Sequence, residues 1–209
     1  DSIEYVLVKS LSKAKYDVIL AFVDEAGNTG TKTQEVEVTA RVKTIINLTP
    51  GNNFISLPGA PVSSGINDII AAGVAIDLVV GYDPSLANPW LTSTRDSVTG
   101  LFVGDLTALE AGKGYIARAT AFVDLEVDIL TAAYNVLPGV NQVKGNAWNL
   151  IGPATRGGQA TVDADNYLAG TRWSVCVTFN PEPGTGWTSV RPDTTDVTAN
   201  NLLVKRGYF

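Results

Sequence analysis

The side chains of this sequence that could do chemistry are a few oxygen ligands, four tryptophans and a single cysteine. Asp163, Asp165 and Asn166 place oxygen donors close together, and Asp24 with Asn28 offers a smaller set; oxygen ligands two residues apart suit calcium. Neither set has the distal bidentate glutamate of a full calcium loop. Each also has a local use, as a helix cap and as a turn. No cofactor is expected, and structural calcium at Asp163, Asp165 and Asn166 is the one candidate the residues offer. Trp90 and Trp187 are candidates for stacking on sugar faces, against the simpler expectation that such rings pack into cores. Glu110, Glu126 and Asp128 are carboxylates from which a glycosidase pair would be drawn, since that chemistry needs no histidine. Alternation around residues 123–129 puts Glu126 and Asp128 on a solvated strand face, where nothing raises a carboxylate's pKa. Asn47-Leu48-Thr49 is a glycosylation acceptor triplet.

Composition narrows the classes further. No histidine occurs among 209 residues, which removes Ser-His-Asp and Cys-His catalysis and His-ligated zinc. One cysteine, Cys176, makes neither an internal disulfide nor a thiolate zinc site, and it reads as a small packed residue. Fifteen basic against 21 acidic residues give a net charge of −6, the wrong sign for tracking a phosphate backbone, so nucleic acid is not an expected partner. Ile69–Ile76, bracketed by Asp68 and Asp77, is far too short to span a bilayer. Low cysteine, no methionine and abundant threonine suit an exported, oxidising environment. No arrangement of residues points to an enzyme.

These residues must be positioned by strands. Tyr16–Asp24 carries apolar residues on both faces, as a central strand does. Residues 24–30 read as a turn, and Val36, Val38, Ala40 and Val42 alternate inward on the strand after it. From Thr44 onward one pattern occurs twice. Phe54 and Trp148, Tyr82 and Phe179, Trp90 and Trp187, Tyr115 and Tyr208 stand 94, 97, 97 and 93 residues apart. Ile76, Leu78, Val80 and Tyr82 match Trp173, Val175, Val177 and Phe179, an apolar stripe of period two that the spacing assigns to the core. Short helical turns lie between, at residues 64–70 and 163–168, each expected to have a capping residue before it and Gly73 or Gly170 after it. Lys113 and Arg206, each beside a glycine, read as turn closures. The fold expected is mainly β: a partial immunoglobulin-like sandwich over residues 1–43, then two homologous β-rich modules with a short helix each, over 44–130 and 131–209.

Asn53–Gly59 with Tyr82, Trp90 and Leu109–Tyr115, and again Asn146–Pro153 with Phe179, Trp187 and Leu202–Tyr208, resemble a module of large exported archaeal and bacterial proteins. That group includes surface-layer-type proteins, and the module's pattern runs from "GWN-L-I-S-L-P" through "Y-D…W" to "G-x-G-Y-W". The opening segment, with Tyr16-Asp17-Val18 and Asp24–Asn28, resembles the last strands of a bacterial immunoglobulin-like surface domain. The front half of that domain has no match here, and the second module stops at Phe209, where the first continues through Ile116-Ala117-Arg118; both ends read as cut inside a domain. The resemblance implies a non-catalytic, extracellular, cell-surface building block of a layer or filament that joins copies of itself, by strand complementation at open sheet edges. The alternative is an accessory adhesion or carbohydrate-binding region of a secreted enzyme, with surface glycans as partners.

Overall fold

The computed structural model describes residues 2–3, 14–23, 26–38, 41–130, 144–145, 147–154, 159–180, 186–192 and 201–209. The chain is mainly β and divides into two compact units, Asp1–Arg41 and Val42–Phe209. In the first, β1 (Ser2–Ile3), β2 (Ala14–Val23) and β3 (Thr29–Val38) form an antiparallel sheet in that order. The β2–β3 hairpin pairs Tyr16 with Val36 and Val23 with Thr29, and Gly27 in its connection takes a φ of 83°, open to glycine at no steric cost. Asp24, in the turn expected over residues 24–30, lies outside the described residues. Val42 does not continue β3 inward: it belongs to the next strand and is exposed.

The second unit begins with β4 (Arg41–Leu48), which pairs with β10 (Val123–Leu130). Thr44, Ile46 and Leu48 of β4 and Leu125, Val127 and Ile129 of β10 are buried, and the residues between them on β4 are exposed. This is the period-two pattern of a sheet with one wet face. Opposite lies a larger antiparallel sheet of β5 (Gly51–Ser56), β6 (Ile76–Tyr82), β7 (Trp90–Arg95), β8 (Phe102–Gly104), β9 (Gly112–Ala119) and β11 (Ile151–Gly152). Helix α1 (Ile66–Ile69) turns its buried Ile66 and Ile69 into the core that these sheets enclose. A second core, built on Ile151, Tyr167, Leu168, Cys176, Leu202 and Tyr208, gathers β12 (Thr161–Asp163), α2 (Ala164–Tyr167), β13 (Cys176–Asn180), β14 (Gly186–Val190) and β15 (Asn201–Leu203).

The same contacts occur in both modules. The Tyr115 hydroxyl accepts the Glu110 N–H at 2.7 Å, and the Tyr208 hydroxyl accepts the Leu203 N–H at 2.8 Å. Val80 pairs with Ile116, while Val177 and Phe209 exchange backbone bonds of 2.7 and 2.9 Å. Gly65 bridges Ala108 as Asp163 pairs with Asn201. Positive φ recurs at Gly73 and Gly170, and again at Gly112 and Lys205. Asn53 and Asn149 each fold back on the preceding loop, donating to Thr49 and Gly51 carbonyls in one module and Lys144 and Ala147 carbonyls in the other. That asparagine fixes the register. The counterpart of Phe54 is Leu150, not Trp148, which falls at the place of Asn52. Matching ring to ring displaces this strand by two positions.

Two further expectations are corrected. Buried positions on β6 are Ile76, Val79 and Gly81, and on β13 Cys176 and Thr178, so the core takes the opposite parity from the apolar stripe. A bulge between Ile76 and Leu78 shifts the phase in β6, the missing side chain at Gly81 leaves room for Leu106 and Tyr115 behind it, and the Thr178 hydroxyl donates to the Gly207 carbonyl at 2.8 Å. Helix α2 is capped as expected, Asp163 accepting the Asn166 N–H at 2.8 Å, but α1 has Gly65 at its N-cap and no side-chain cap. The Ile66 N–H goes instead to the Thr107 carbonyl at 2.9 Å.

The modules lock through each other's strand ends. The Ser56 N–H donates to the Lys205 carbonyl at 3.0 Å, while Gly152, the counterpart of Ser56, pairs with Gly112, the counterpart of Lys205. The contact is reciprocal, as in a two-fold dimer, though contained within one chain. Glycines permit it. A Cβ on Gly114 would lie 2.5 Å from the Ile151 carbonyl oxygen, and one on Gly207 would lie 2.9 Å from the Ile55 carbonyl oxygen. Lys113-Gly114 therefore does not close a turn: it lies inside β9 and lets two backbones meet.

Candidate binding surface

Because the core takes Val79, Gly81, Cys176 and Thr178, the alternate residues of β6 and β13 face outward, and their aromatic ends meet cross-strand tryptophans. Tyr82 lies opposite Trp90, ring centroids 4.7 Å apart at 66°, and Phe179 lies opposite Trp187 at 5.2 Å and 60°. Such cross-strand aromatic pairs stabilise a sheet face by about 0.5–1 kcal/mol each. Phe209 joins them, its ring 5.9 Å from Tyr82, 5.9 Å from Trp90, 6.0 Å from Phe54 and 6.4 Å from Trp148. Phe54 touches Trp187 at 5.7 Å and closes the series. Seven rings from both modules thus form one edge-to-face ridge.

Phe54 is buried, but the tryptophans of the ridge are not core. Trp90 is 44% exposed, Trp148 56% and Trp187 63%, so the expectation that Trp90 and Trp187 are core anchors is overturned. The physical reason is the parity change: the stripe that carries these rings is the outer one.

A cleft of about 120 Å³ opens beside Tyr82, lined among others by Asp83, Leu91, Asp105, Thr107, Glu110, Lys113 and Tyr115. Asp83 accepts from the Ser85 hydroxyl at 2.6 Å and from its N–H at 2.9 Å, and these bonds hold its carboxyl below the usual aspartate range. Glu110 and Lys113 form an ion pair of 3.2 Å at the rim. No known protein family, curated protein or solved structure matches the chain. The surface must be interpreted from its own chemistry.

The remaining candidates are placed apart from this ridge. Asp163 spends one carboxylate oxygen on the cap of α2, with Asp165 and Asn166 exposed in its first turn. Among the described residues no group of three or more cysteine and carboxylate side chains is placed to hold a metal ion. Asn47 is exposed on β4, its amide donating to Asp124 at 2.7 Å. Glu126 is paired across to Lys43 at 2.6 Å, and Asp128 is a half-buried residue of β10; the carboxylates weighed as a catalytic pair stand on separate elements from Glu110. Cys176 is buried, and burial pushes its thiol pKa up to about 12, away from nucleophilic use. No helix among the described residues is long and apolar enough to cross a membrane.

Sequence reasoning missed Phe54, Trp148 and Phe209 as ridge members. The available signal lay on the inner parity: Gly81, a residue without a side chain among apolar neighbours, is what a strand needs where Tyr115 packs beneath it.

Proposed function

We propose that the chain is a non-catalytic structural element of an extracellular assembly, a surface layer or filament, that joins copies of itself. The supporting observation is the reciprocal locking of the two modules, with glycine-thinned strand ends carrying backbone hydrogen bonds in both directions. A module that pairs this way within one chain has the chemistry for pairing between chains. A two-fold contact closes on itself, so growth into a lattice needs a second surface. The net charge of −6 favours assembly in the presence of divalent cations. Light scattering and negative-stain electron microscopy of the full chain, with and without calcium, test the proposal. Ordered sheets or fibres are expected; a monomer at every concentration and cation level overturns it.

A second reading, an adhesion or carbohydrate-binding region of a larger secreted protein, is favoured by the exposure of Trp90, Trp148 and Trp187 on one continuous surface. Large apolar patches rimmed by polar groups mark binding surfaces.

A further inference from the structure

We infer that the aromatic ridge and the cleft beside Tyr82 form one binding site for a neutral polysaccharide, an inference that rests on the second reading above. Sugar rings would lie on the exposed tryptophans, and their hydroxyls would donate to the carboxylates of the cleft. The ridge is pre-organised. Each ring is held by neighbours at 60–86° and centroid distances of 4.7–6.4 Å, so little side-chain freedom remains to be lost on binding. Tyr82 belongs to both parts, lining the cleft and touching Trp90 and Phe209, so ring and acceptor groups are continuous. That combination of apolar faces with a few placed acceptors is the chemistry of a polyol with C–H faces and O–H edges.

Charge decides between occupants. Asp83, Asp105 and Glu110 line the cleft with one ammonium, Lys113, which is already engaged with Glu110. Uronate and sulfated polymers are repelled by this rim. A second copy of the chain, presenting the same face, would set carboxylates against carboxylates under a net charge of −6 on each partner. A neutral glycan meets neither penalty.

Affinity electrophoresis of the full chain through gels containing soluble β-glucan, xylan or mannan, with alginate and a polylysine peptide as charged comparators, tests the site. At least one neutral polymer is expected to retard the chain, with alginate having no effect. Trp90→Ala and Trp187→Ala should each raise the apparent dissociation constant tenfold or more, and Asp105→Asn several-fold, with unchanged far-ultraviolet circular dichroism. Retardation that survives both tryptophan changes leaves glycan binding standing but overturns the ridge as its site. Failure of every neutral polymer to retard overturns the glycan reading as well. Polylysine displacing the glycan, or ridge changes that abolish self-association instead, assigns the surface to a basic or identical protein partner and overturns the inference.

Discussion

Gly114 and Gly207 occupy the same place in the two modules and lie against each other: a Cβ on Gly207 would come within 3.3 Å of the Gly114 Cα. At both positions the nearest atom is a backbone carbonyl oxygen, which does not yield as the tip of a side chain does. Gly114→Ala drives a methyl group to 2.5 Å from the Ile151 carbonyl oxygen and 2.9 Å from Leu150, and is expected to cost about 2–3 kcal/mol. Gly207→Ala, with its nearest contact at 2.9 Å, should cost less. Gly145→Ala meets nothing within 4 Å and serves as control, within about 0.5 kcal/mol of the parent. Urea denaturation curves separate the three. Equal stability for Gly114→Ala and Gly145→Ala would remove the close approach as the reason for these glycines.

Ser93 offers the opposite case. Its hydroxyl is 1% exposed at the centre of β7, opposite Val79, and has no hydrogen-bond partner in the protein. The second module places Val190, opposite Cys176, at the same position. A buried hydroxyl without a partner costs about 1–3 kcal/mol. Ser93→Ala should therefore raise stability by about 1 kcal/mol, less the small loss of packing, and Ser93→Val should match or exceed it if the site accepts valine as its twin does. Thermal unfolding reads the change, and a lower midpoint for both variants would show that the hydroxyl is satisfied in solution.

Much of this architecture was legible from the residues, and the part that was not has a physical cause. The alternation of Val123–Ile129 against Asp124, Glu126 and Asp128 describes β10 correctly, because one face of that strand is wet and the period-two signal is clean. β6 and β13 are covered on both sides, by core on one and by aromatic neighbours on the other. Apolar residues then occur at both parities, and hydrophobicity alone does not say which face is inside. The ridge was hidden for the same reason: Trp90 and Trp187 could be paired with their repeats by spacing, but their exposure depended on that parity. Its third tryptophan, Trp148, matches Phe54 by ring type, whereas the Asn53 and Asn149 loop contacts set the register two residues away.

Titration should destabilise the fold at both extremes of pH. Burial raises the pKa values of Tyr115, Tyr167, Tyr208 and Cys176, the thiol to about 12. A raised folded-state value means that the neutral form is the one the fold prefers. Stability is then full below the unfolded-state values, about 8.5 for a thiol and 10 for a phenol, and falls as pH climbs through the window above them. On the acid side, the Arg118 guanidinium, bonded to Asp77 at 2.7 and 2.9 Å, holds that carboxyl low, and the Ser85 bonds do the same for Asp83. Their contributions are present above about pH 4 and vanish as pH drops through the folded-state values, modestly because both groups meet solvent. Unfolding free energies between pH 2 and 11 check both limbs. Cys176 adds a separate readout: an aromatic disulfide reagent at pH 8 should label it slowly in the native chain and at once in denaturant, whereas equal rates would contradict its burial.

Asn67 and Phe102 bear on how the chain meets copies of itself. β8 is the last strand of its sheet, yet the Asn67 amide donates to the Phe102 carbonyl at 3.1 Å and accepts the Phe102 N–H at 2.7 Å, taking the place of a neighbouring strand. Strand complementation at an open edge is thus blocked at this edge by one side chain on α1. Asn67→Ala removes both bonds and frees the two backbone groups, with Val103 and Leu101 exposed beside them. The expected loss is about 1–2 kcal/mol. Light scattering should also show concentration-dependent association beyond that of the parent, carried by the freed edge of β8. Asn67→Asp keeps the acceptor and loses the donor, so an intermediate loss is expected. Association unchanged from the parent in Asn67→Ala would show that the side chain stabilises β8 without guarding its edge.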